Sequence, residues 1–382
     1  MSASPLPDPA VLAHSRALSR HIAAAIGEAG GWIDFARYME LALYAPGLGY
    51  YSAGAQKFGS AGDFVTAPEL SPLFAQALAR QATQVLAECG GDVLELGAGS
   101  GRLALELLRA LQRGHALPER YLILELSADL RERQRALIER EAPELLPRTQ
   151  WLEALPERFT GLALGNEVLD ALPVHLVRHT DAGWQERGVA RLGDGFVWQE
   201  RPLHSGPLFD AASALALEGD YLTEINLAAP ALICSLAERL ERGALLFIDY
   251  GFPRAEYYHP QRGEGTLMCH YRHRAHADPF ALPGLTDITA HVDFTAVAEA
   301  GVDVGLSLLG YTAQANFLIA CGITDLLQGL SPSDPAYIRQ AAALQKLMSP
   351  AEMGELFKVI ALGRGLAAPL LGFERGDRSH AL

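Results

Sequence analysis

The hydrophobic pattern alternates between short apolar runs and longer amphipathic stretches. Apolar runs at 93–96, 121–125, 150–152, 162–165 and 244–249 read as strands, because a strand covered on both faces is apolar throughout. Between them, 103–112, 128–140 and 230–242 carry apolar residues at helical spacing, with Leu103, Leu107, Leu108 and Leu111 on one face of the first. This alternation predicts an α/β fold in which helices cover both faces of a parallel sheet. Helix 294–300, strand 304–309, helices 313–321 and 335–347 and strand 356–362 close the pattern.

The flanking regions read differently. Residues 10–45 are helical in pattern, with Ser4 or Asp8 as cap, and 71–90 form a helix that Ser71 caps and Pro72 opens. The intervening 46–70 hold Pro46, Gly47, Gly49, Gly54, Gly59, Gly62 and Pro68 and read as an ordered loop. Runs at 174–179, 185–192 and 196–201, separated by Asp181-Ala182-Gly183 and Gly193-Asp194-Gly195, predict an antiparallel meander. Residues 251–293, rich in Pro, Gly, His and Arg, read as a long loop of the kind that usually serves function. The expected organisation is an N-terminal helical and loop segment (1–70), a core (71–173 and 230–365), an inserted meander with a helix (174–229), and a substrate-side loop within the core (251–293).

Composition narrows the class. The 382 residues are 49% hydrophobic and 20% charged, enough for one large or two ordinary domains and against wholesale disorder. A net charge of −14 argues against nucleic-acid binding. No stretch is apolar enough to span a bilayer, and neither a secretory signal nor a presequence is visible, so a cytoplasmic location is expected. Cys89, Cys234, Cys269 and Cys321 are scattered without a C-x-x-C, which disfavours a disulfide framework or zinc ribbon.

The densest chemistry follows the first core strand. Val93-Leu94-Glu95-Leu96-Gly97-Ala98-Gly99-Ser100-Gly101-Arg102 runs from strand through glycine turn into helix. Such a turn lets a ligand approach the backbone at the end of a sheet. A dinucleotide fingerprint counted from Gly97 needs glycine or alanine where Arg102 stands. The spacing instead resembles motif I of S-adenosylmethionine (SAM) methyltransferases, placing Gly97, Ala98, Gly99 and Gly101 at the cofactor. Glu125, ending the second strand, takes the place of a ribose-binding carboxylate, with Leu126 beside it. Its blander reading is a surface carboxylate before a helix that Ser127 caps.

Asn166, Glu167 and Asp170 cluster after the fourth strand, where open sheets bind ligands; a helix-capping turn is the plain alternative. Asp63, Thr66 and Glu69 form a polar group in a Gly/Pro-framed loop, and His291 and Asp293 alternate as two residues of one strand face do. His259, His270, His273 and His276 lack a cleanly placed carboxylate partner, so no metal site is expected.

Five segments then carry a more specific resemblance: Gly62-Asp-Phe-Val-Thr-Ala-Pro-Glu69, Glu95-Leu-Gly-Ala-Gly-Ser-Gly101, Gly165-Asn-Glu-Val-Leu-Asp-Ala-Leu-Pro173, Ile248-Asp-Tyr-Gly251 and Asp287-Ile-Thr-Ala-His-Val-Asp-Phe294. In this order they resemble the MidA family over about residues 15–365. The resemblance implies a Rossmann-like class I methyltransferase fold, with a seven-stranded, mostly parallel sheet whose last strand is antiparallel. It further implies SAM as cofactor, symmetric dimethylation of a protein arginine, and a role in respiratory-complex assembly. Gly97, Gly99, Gly101 and Glu125 are carried over as SAM residues; Asn166, Glu167, Thr66, Pro68, His291 and Asp293 share family motifs.

The chemistry of that expectation is specific. An arginine acceptor is a delocalised cation that carboxylates can fork-bind; Glu167, Asp170 and Glu69 are candidates, with His291 or Asp293 as proton acceptors. Three rivals stand beside it: a NAD-dependent oxidoreductase, against which Arg102 counts; a catalytically silent scaffold with the same fold; and a methyltransferase for another acceptor. The meander suits a lid or an interface, a homodimer included.

Overall fold

The computed structural model describes residues 9–52, 66–272, 274–328, 331 and 333–382. They form two compact units. One gathers described residues of Met1–Gln56 with Ala171–Ala228 and Ala255–His291; the other gathers those of Lys57–Asp170, Ala229–Arg254 and Val292–Leu382.

The second unit is built on β1 (Asp92–Leu96), β2 (Tyr121–Leu124), β3 (Thr149–Leu152), β4 (Phe159–Asn166), β5 (Leu240–Phe252), β6 (Ser307–Ala313) and β7 (Phe357–Arg364). Their order in the sheet is β3-β2-β1-β4-β5-β7-β6. β1 to β5 are mutually parallel, whereas β7 runs antiparallel to both β5 and β6. The expected class I methyltransferase sheet, with its antiparallel last strand, is therefore present. A two-residue strand, Val292–Asp293, pairs with the end of β5. The chain winds from β1 outward to β3 and returns to β4 on the other side of β1. That reversal makes the carboxyl ends of β1 and β4 the topological switch point, where open sheets bind ligands. β1 is buried along its whole length, and helix Arg102–Arg113 covers it with Leu103, Ala104, Leu105, Leu107, Leu108 and Leu111.

One strand starts and ends later than its apolar pattern predicts. The strand expected at 304–309 is β6, because helix Phe294–Asp303 runs further than its apolar pattern. Gly305 (φ 82°) closes it, with Gly305 N–H donating to Val302 O (3.0 Å) and Leu306 N–H to Gly301 O (2.9 Å).

The first unit carries the expected meander as strands His175–Thr180, Gly183–Leu192 and Gly195–Pro202. Two strands from elsewhere join it: Trp32–Asp34 pairs with Gly183–Leu192, and Tyr221–Ile225 with His175–Thr180. The single helical stretch expected at 10–45 is thus corrected to helix Pro9–Glu28, strand Trp32–Asp34 and helix Phe35–Tyr44. Gly30 and Gly31, at φ 78° and 96°, end the first helix; Asp34 starts the next by accepting Arg37 N–H at 2.7 Å. Ser4 and Asp8 lie outside the described residues. In 46–70 the described part includes a short helix, Ala67–Leu70, rather than loop alone.

The expected long loop at 251–293 also has internal order. Met268–Tyr271 pairs with Arg274–His276 and with Asp287–Thr289. Its approach segment is tied down by Glu224, a buried carboxylate. Glu224 accepts Thr266 N–H (2.9 and 3.0 Å to its two oxygens), Leu267 N–H (2.9 Å), the Thr266 hydroxyl (3.0 Å) and the Tyr257 hydroxyl (3.2 Å). A side chain at Gly265 would collide with that carboxylate, its Cβ lying 2.4 Å from Oε1.

Candidate functional site

The turn after β1 is shaped by glycine. Gly97, Gly99 and Gly101 have φ of 61°, 53° and 81°, the left-handed region that residues with a Cβ seldom enter. Gly97 is exposed, and a Cβ there would meet only Val168 Cγ2, at 3.4 Å. Gly101 N–H donates to Ala98 O (2.8 Å), closing the turn into helix Arg102–Arg113. The Arg102 side chain pairs with Glu141 at 3.2 Å, and its backbone N–H donates to Ser100 Oγ at 3.2 Å.

Glu125 leaves the end of β2 and is buried. Its two oxygens accept Ser127 N–H (3.0 Å) and Gln134 Nε2 (3.2 Å). Burial raises its pKa, and those donors oppose the rise. Gln134 was not singled out from sequence, yet it joins the site: its Nε2 also donates to Gly99 O (2.9 Å), and its Oε1 accepts from Trp151 Nε1 (2.9 Å). Its place mid-helix in a charged stretch gave no signal. Leu126, the next residue after Glu125, is 70% exposed, an apolar side chain beside a polar one. Glu95 lies beneath the turn, fully buried, accepting the Tyr121 hydroxyl at 2.6 Å. Burial pushes its pKa up to about 7, the Tyr121 hydrogen bond opposing that shift.

The segment after β4 lies against this turn. Val168 Cγ2 would lie 3.4 Å from a Cβ at Gly97 and 3.3 Å from one at Gly165. Asn166 Nδ2 donates to Glu167 Oε1 (3.1 Å), while Asn166 Oδ1 is buried with no hydrogen-bond partner among the described residues. Glu167 has φ 54°. Asp249, on β5, is buried and accepts the N–H groups of Val168 (3.1 Å), Leu169 (2.8 Å) and Asp170 (3.3 Å). Burial and then the charges of Asp170 and Glu167 hold its pKa well above the ordinary carboxylate value. Three carboxylates, Glu167, Asp170 and Asp249, thus share one end of the sheet. Asp249 lies in a quoted motif but was not read as a site residue, because its partners are 79 to 81 positions away.

Glu69, on the short helix, accepts the hydroxyl of Ser100 in the glycine turn; Thr66 and Pro68 occupy the start of that helix. Glu69 is therefore tied to the glycine turn. Asp63 lies outside the described residues, as does His273.

The comparisons with known proteins bear on this geometry. Residues 76–312 match the model of a family described as "Putative S-adenosyl-L-methionine-dependent methyltransferase". The chain belongs to that family. It is 29% identical to "Protein arginine methyltransferase NDUFAF7, mitochondrial" of Danio rerio, over 90% of this chain and 86% of the relative. It is 30% identical to the corresponding homolog of Drosophila melanogaster, over 90% and 85%. A crystal structure from Burkholderia thailandensis bound to S-adenosyl-homocysteine is 54% identical over 100% of both chains, with a TM-score of 0.96.

This methyltransferase uses SAM, and the residues present fit that cofactor. The exposed Gly97 leaves space over the turn. Glu125 accepts from Ser127, Gln134 and the Leu126 backbone, and the roughly four lone-pair sites of a carboxylate leave room for a ribose hydroxyl. The unpartnered Asn166 Oδ1 suits an N–H donor.

His291 and Asp293 are not brought together as one strand face: His291 precedes the strand Val292–Asp293 and belongs to the first unit, Asp293 to the second. His291 N–H donates to the Thr266 hydroxyl (3.1 Å). Asp293 caps helix Phe294–Asp303 by accepting Thr295 N–H (3.0 Å) and Ala296 N–H (3.2 Å), and its other oxygen lies 3.6 Å from Arg254 Nε. Among the described residues, Asp34, His175 and Glu186 bring possible ligand atoms within 4.8 Å of one another. Structural partners account for them: Asp34 caps a helix, and His175 Nδ1 contacts Glu186 at 2.8 Å. No helix among the described residues is long and apolar enough to cross a membrane.

Proposed function

We propose that this enzyme is a protein-arginine N-methyltransferase that dimethylates its acceptor symmetrically and acts in the assembly of a respiratory complex. The observation that carries the reading is the grouping of Glu167, Asp170 and Asp249 beside the glycine turn, close enough that the first two charges raise the pKa of the third. Neighbouring like charges favour a cation between them. A guanidinium is the cation that two carboxylate oxygens fork-bind best. The names of the Danio rerio and Drosophila melanogaster relatives support the same acceptor.

In this reading Gly97, Ala98, Gly99 and Gly101 form the floor of the SAM site, Glu125 binds ribose, and Leu126 lies under adenine. Asn166 accepts from the cofactor, while Thr66 and Pro68 hold the segment that brings Glu69 onto Ser100. Bound SAM supplies a methyl group made electrophilic by its sulfonium. Glu167 receives the guanidinium and concentrates its positive charge away from the attacking nitrogen, leaving that nitrogen's lone pair for the methyl carbon. As the new N–C bond forms, the methyl C–S bond breaks with its electron pair going to sulfur, S-adenosylhomocysteine leaves, and the proton on the methylated nitrogen passes to Glu167 or Asp170. Asp293, already accepting two amides and facing Arg254, stabilises its helix instead of taking that proton. Most of the acceleration comes from alignment, as expected when acceptor and donor are held in line.

The test is to incubate the protein with methyl-labelled SAM and cell extract, hydrolyse the labelled proteins and identify the labelled amino acid. Symmetric dimethylarginine supports the reading. Label confined to another residue or to small molecules moves the acceptor elsewhere, and no transfer by SAM-binding protein favours a scaffold role.

A further inference from the structure

We infer that Asp249 is a positioning residue, whose carboxylate fixes the turn after β4 so that Glu167 is presented in a left-handed conformation. The inference rests on the reading of Glu167 as the group that receives the acceptor. One Asp249 oxygen, Oδ2, takes three consecutive amides, those of Val168, Leu169 and Asp170; Oδ1 takes Tyr250 N–H at 3.0 Å. Successive N–H groups converging on one anion make a nest. On the other side, Glu167 N–H donates to Ile248 O at 2.9 Å. Adjacent residues of β5, Ile248 and Asp249, therefore hold the peptides before and after Glu167.

Glutamate at φ 54° is uncommon. Such a conformation persists where the surroundings over-determine it, and such positions cluster at functional sites. The identity of the clamp is informative as well. The four hydrogen bonds to the Asp249 side chain among the described residues all come from N–H donors, so the position calls for a group that only accepts; an amide would turn an NH2 toward one of them. A carboxylate meets that need although Asp170 and Glu167 stand near it. Val168, held by the clamp, lies between Gly97 and Gly165, so the clamped turn is registered to the cofactor turn.

Two sets of measurements test the clamp. In stability, Glu167→Gly removes the Cβ that disfavours the left-handed region, so the melting temperature rises by about 1–3 °C. In an Asp249→Asn background, where residue 167 is free to relax, that gain disappears. An equal gain in both backgrounds overturns the clamp, and so does a loss of several degrees on Glu167→Gly alone.

In function, S-adenosylhomocysteine is the calorimetric probe and methyl-labelled SAM with extract protein the transfer assay. Asp249→Asn slows labelling at saturating SAM by about tenfold or more and leaves S-adenosylhomocysteine affinity within about threefold. Added to Glu167→Gln it costs less than about twofold more, as expected when two residues act as one unit. Multiplicative losses, or a loss confined to cofactor affinity, overturn the positioning role. If the wild-type protein labels no arginine, the proposed function fails, while the stability cycle still decides the clamp.

Discussion

Glu224 and Asp249 are both buried carboxylates that bind a chain segment through its N–H groups, in different regions of the molecule. Around Glu224 the donors include two amides and two hydroxyls, and burial is the force raising its pKa. Around Asp249 burial acts with the charges of Asp170 and Glu167, and the residue just before the bound amides is left-handed. The same device thus yields a satisfied structural anchor in one region and a crowded, strained cluster in the other. Stability alone explains the first. The second sets like charges together at the switch point of the sheet, an arrangement that favours a cationic ligand over a quiet core.

The comparison can be broken at its structural end. Glu224→Ala strands Thr266 and Leu267 amides in a buried site, and the expected cost is roughly 3–5 kcal/mol in denaturant unfolding. S-adenosylhomocysteine affinity of the folded protein should not change, and a proportionate loss of affinity would mean that Glu224 is more than an anchor.

Glu95, a third buried carboxylate, sharpens the comparison through pH. Its folded pKa of about 7 lies above its ordinary 4.5, so the folded state binds more protons between those values. Its stabilising contribution is complete below pH 4.5 and is lost as pH rises through about 7, on the order of 3 kcal/mol in all. Glu95→Gln keeps an acceptor for Tyr121 and removes the titration. Its stability relative to wild type should therefore improve from pH 5 to pH 8, and a pH-independent difference would contradict the assignment.

At the glycine turn, valine at position 99 forces a β-branched residue to φ 53°. Gly99→Val should weaken S-adenosylhomocysteine binding by about 100-fold, near 2.7 kcal/mol by calorimetry. The smallest effect belongs to Asp293. As a cap it should tolerate Asp293→Asn within about 0.5 kcal/mol, whereas Asp293→Ala costs about 1 kcal/mol of thermal stability. A transfer rate that collapses in Asp293→Asn at unchanged stability would restore it to the reaction.

Much of the glycine turn and its flanking strands was legible in the sequence, because its parts are local. Gly97, Gly99 and Gly101 announce their turn by composition, and Glu125 announces itself by ending an apolar run. The strand–helix alternation gave the parallel core for the same reason. What escaped depends on partners remote in the chain. Gln134 reaches Gly99 across 35 positions, Asp249 reaches Val168 across 81, and Glu224 reaches Thr266 across 42; no periodicity encodes such contacts. Trp32–Asp34 is too short to show alternation and is a strand only because Gly183–Leu192 lies beside it. His291 and Asp293 alternate in sequence, yet a two-residue strand begins between them.

The most direct test of the division between a cofactor turn and an acceptor carboxylate is Glu167→Gln, assayed in parallel by S-adenosylhomocysteine calorimetry and by labelled methyl transfer to protein arginine. The predicted result is cofactor affinity within about threefold of wild type and transfer slowed by roughly 10²–10³-fold. Transfer at the wild-type rate, or a loss of affinity large enough to account for the slower transfer, would contradict it.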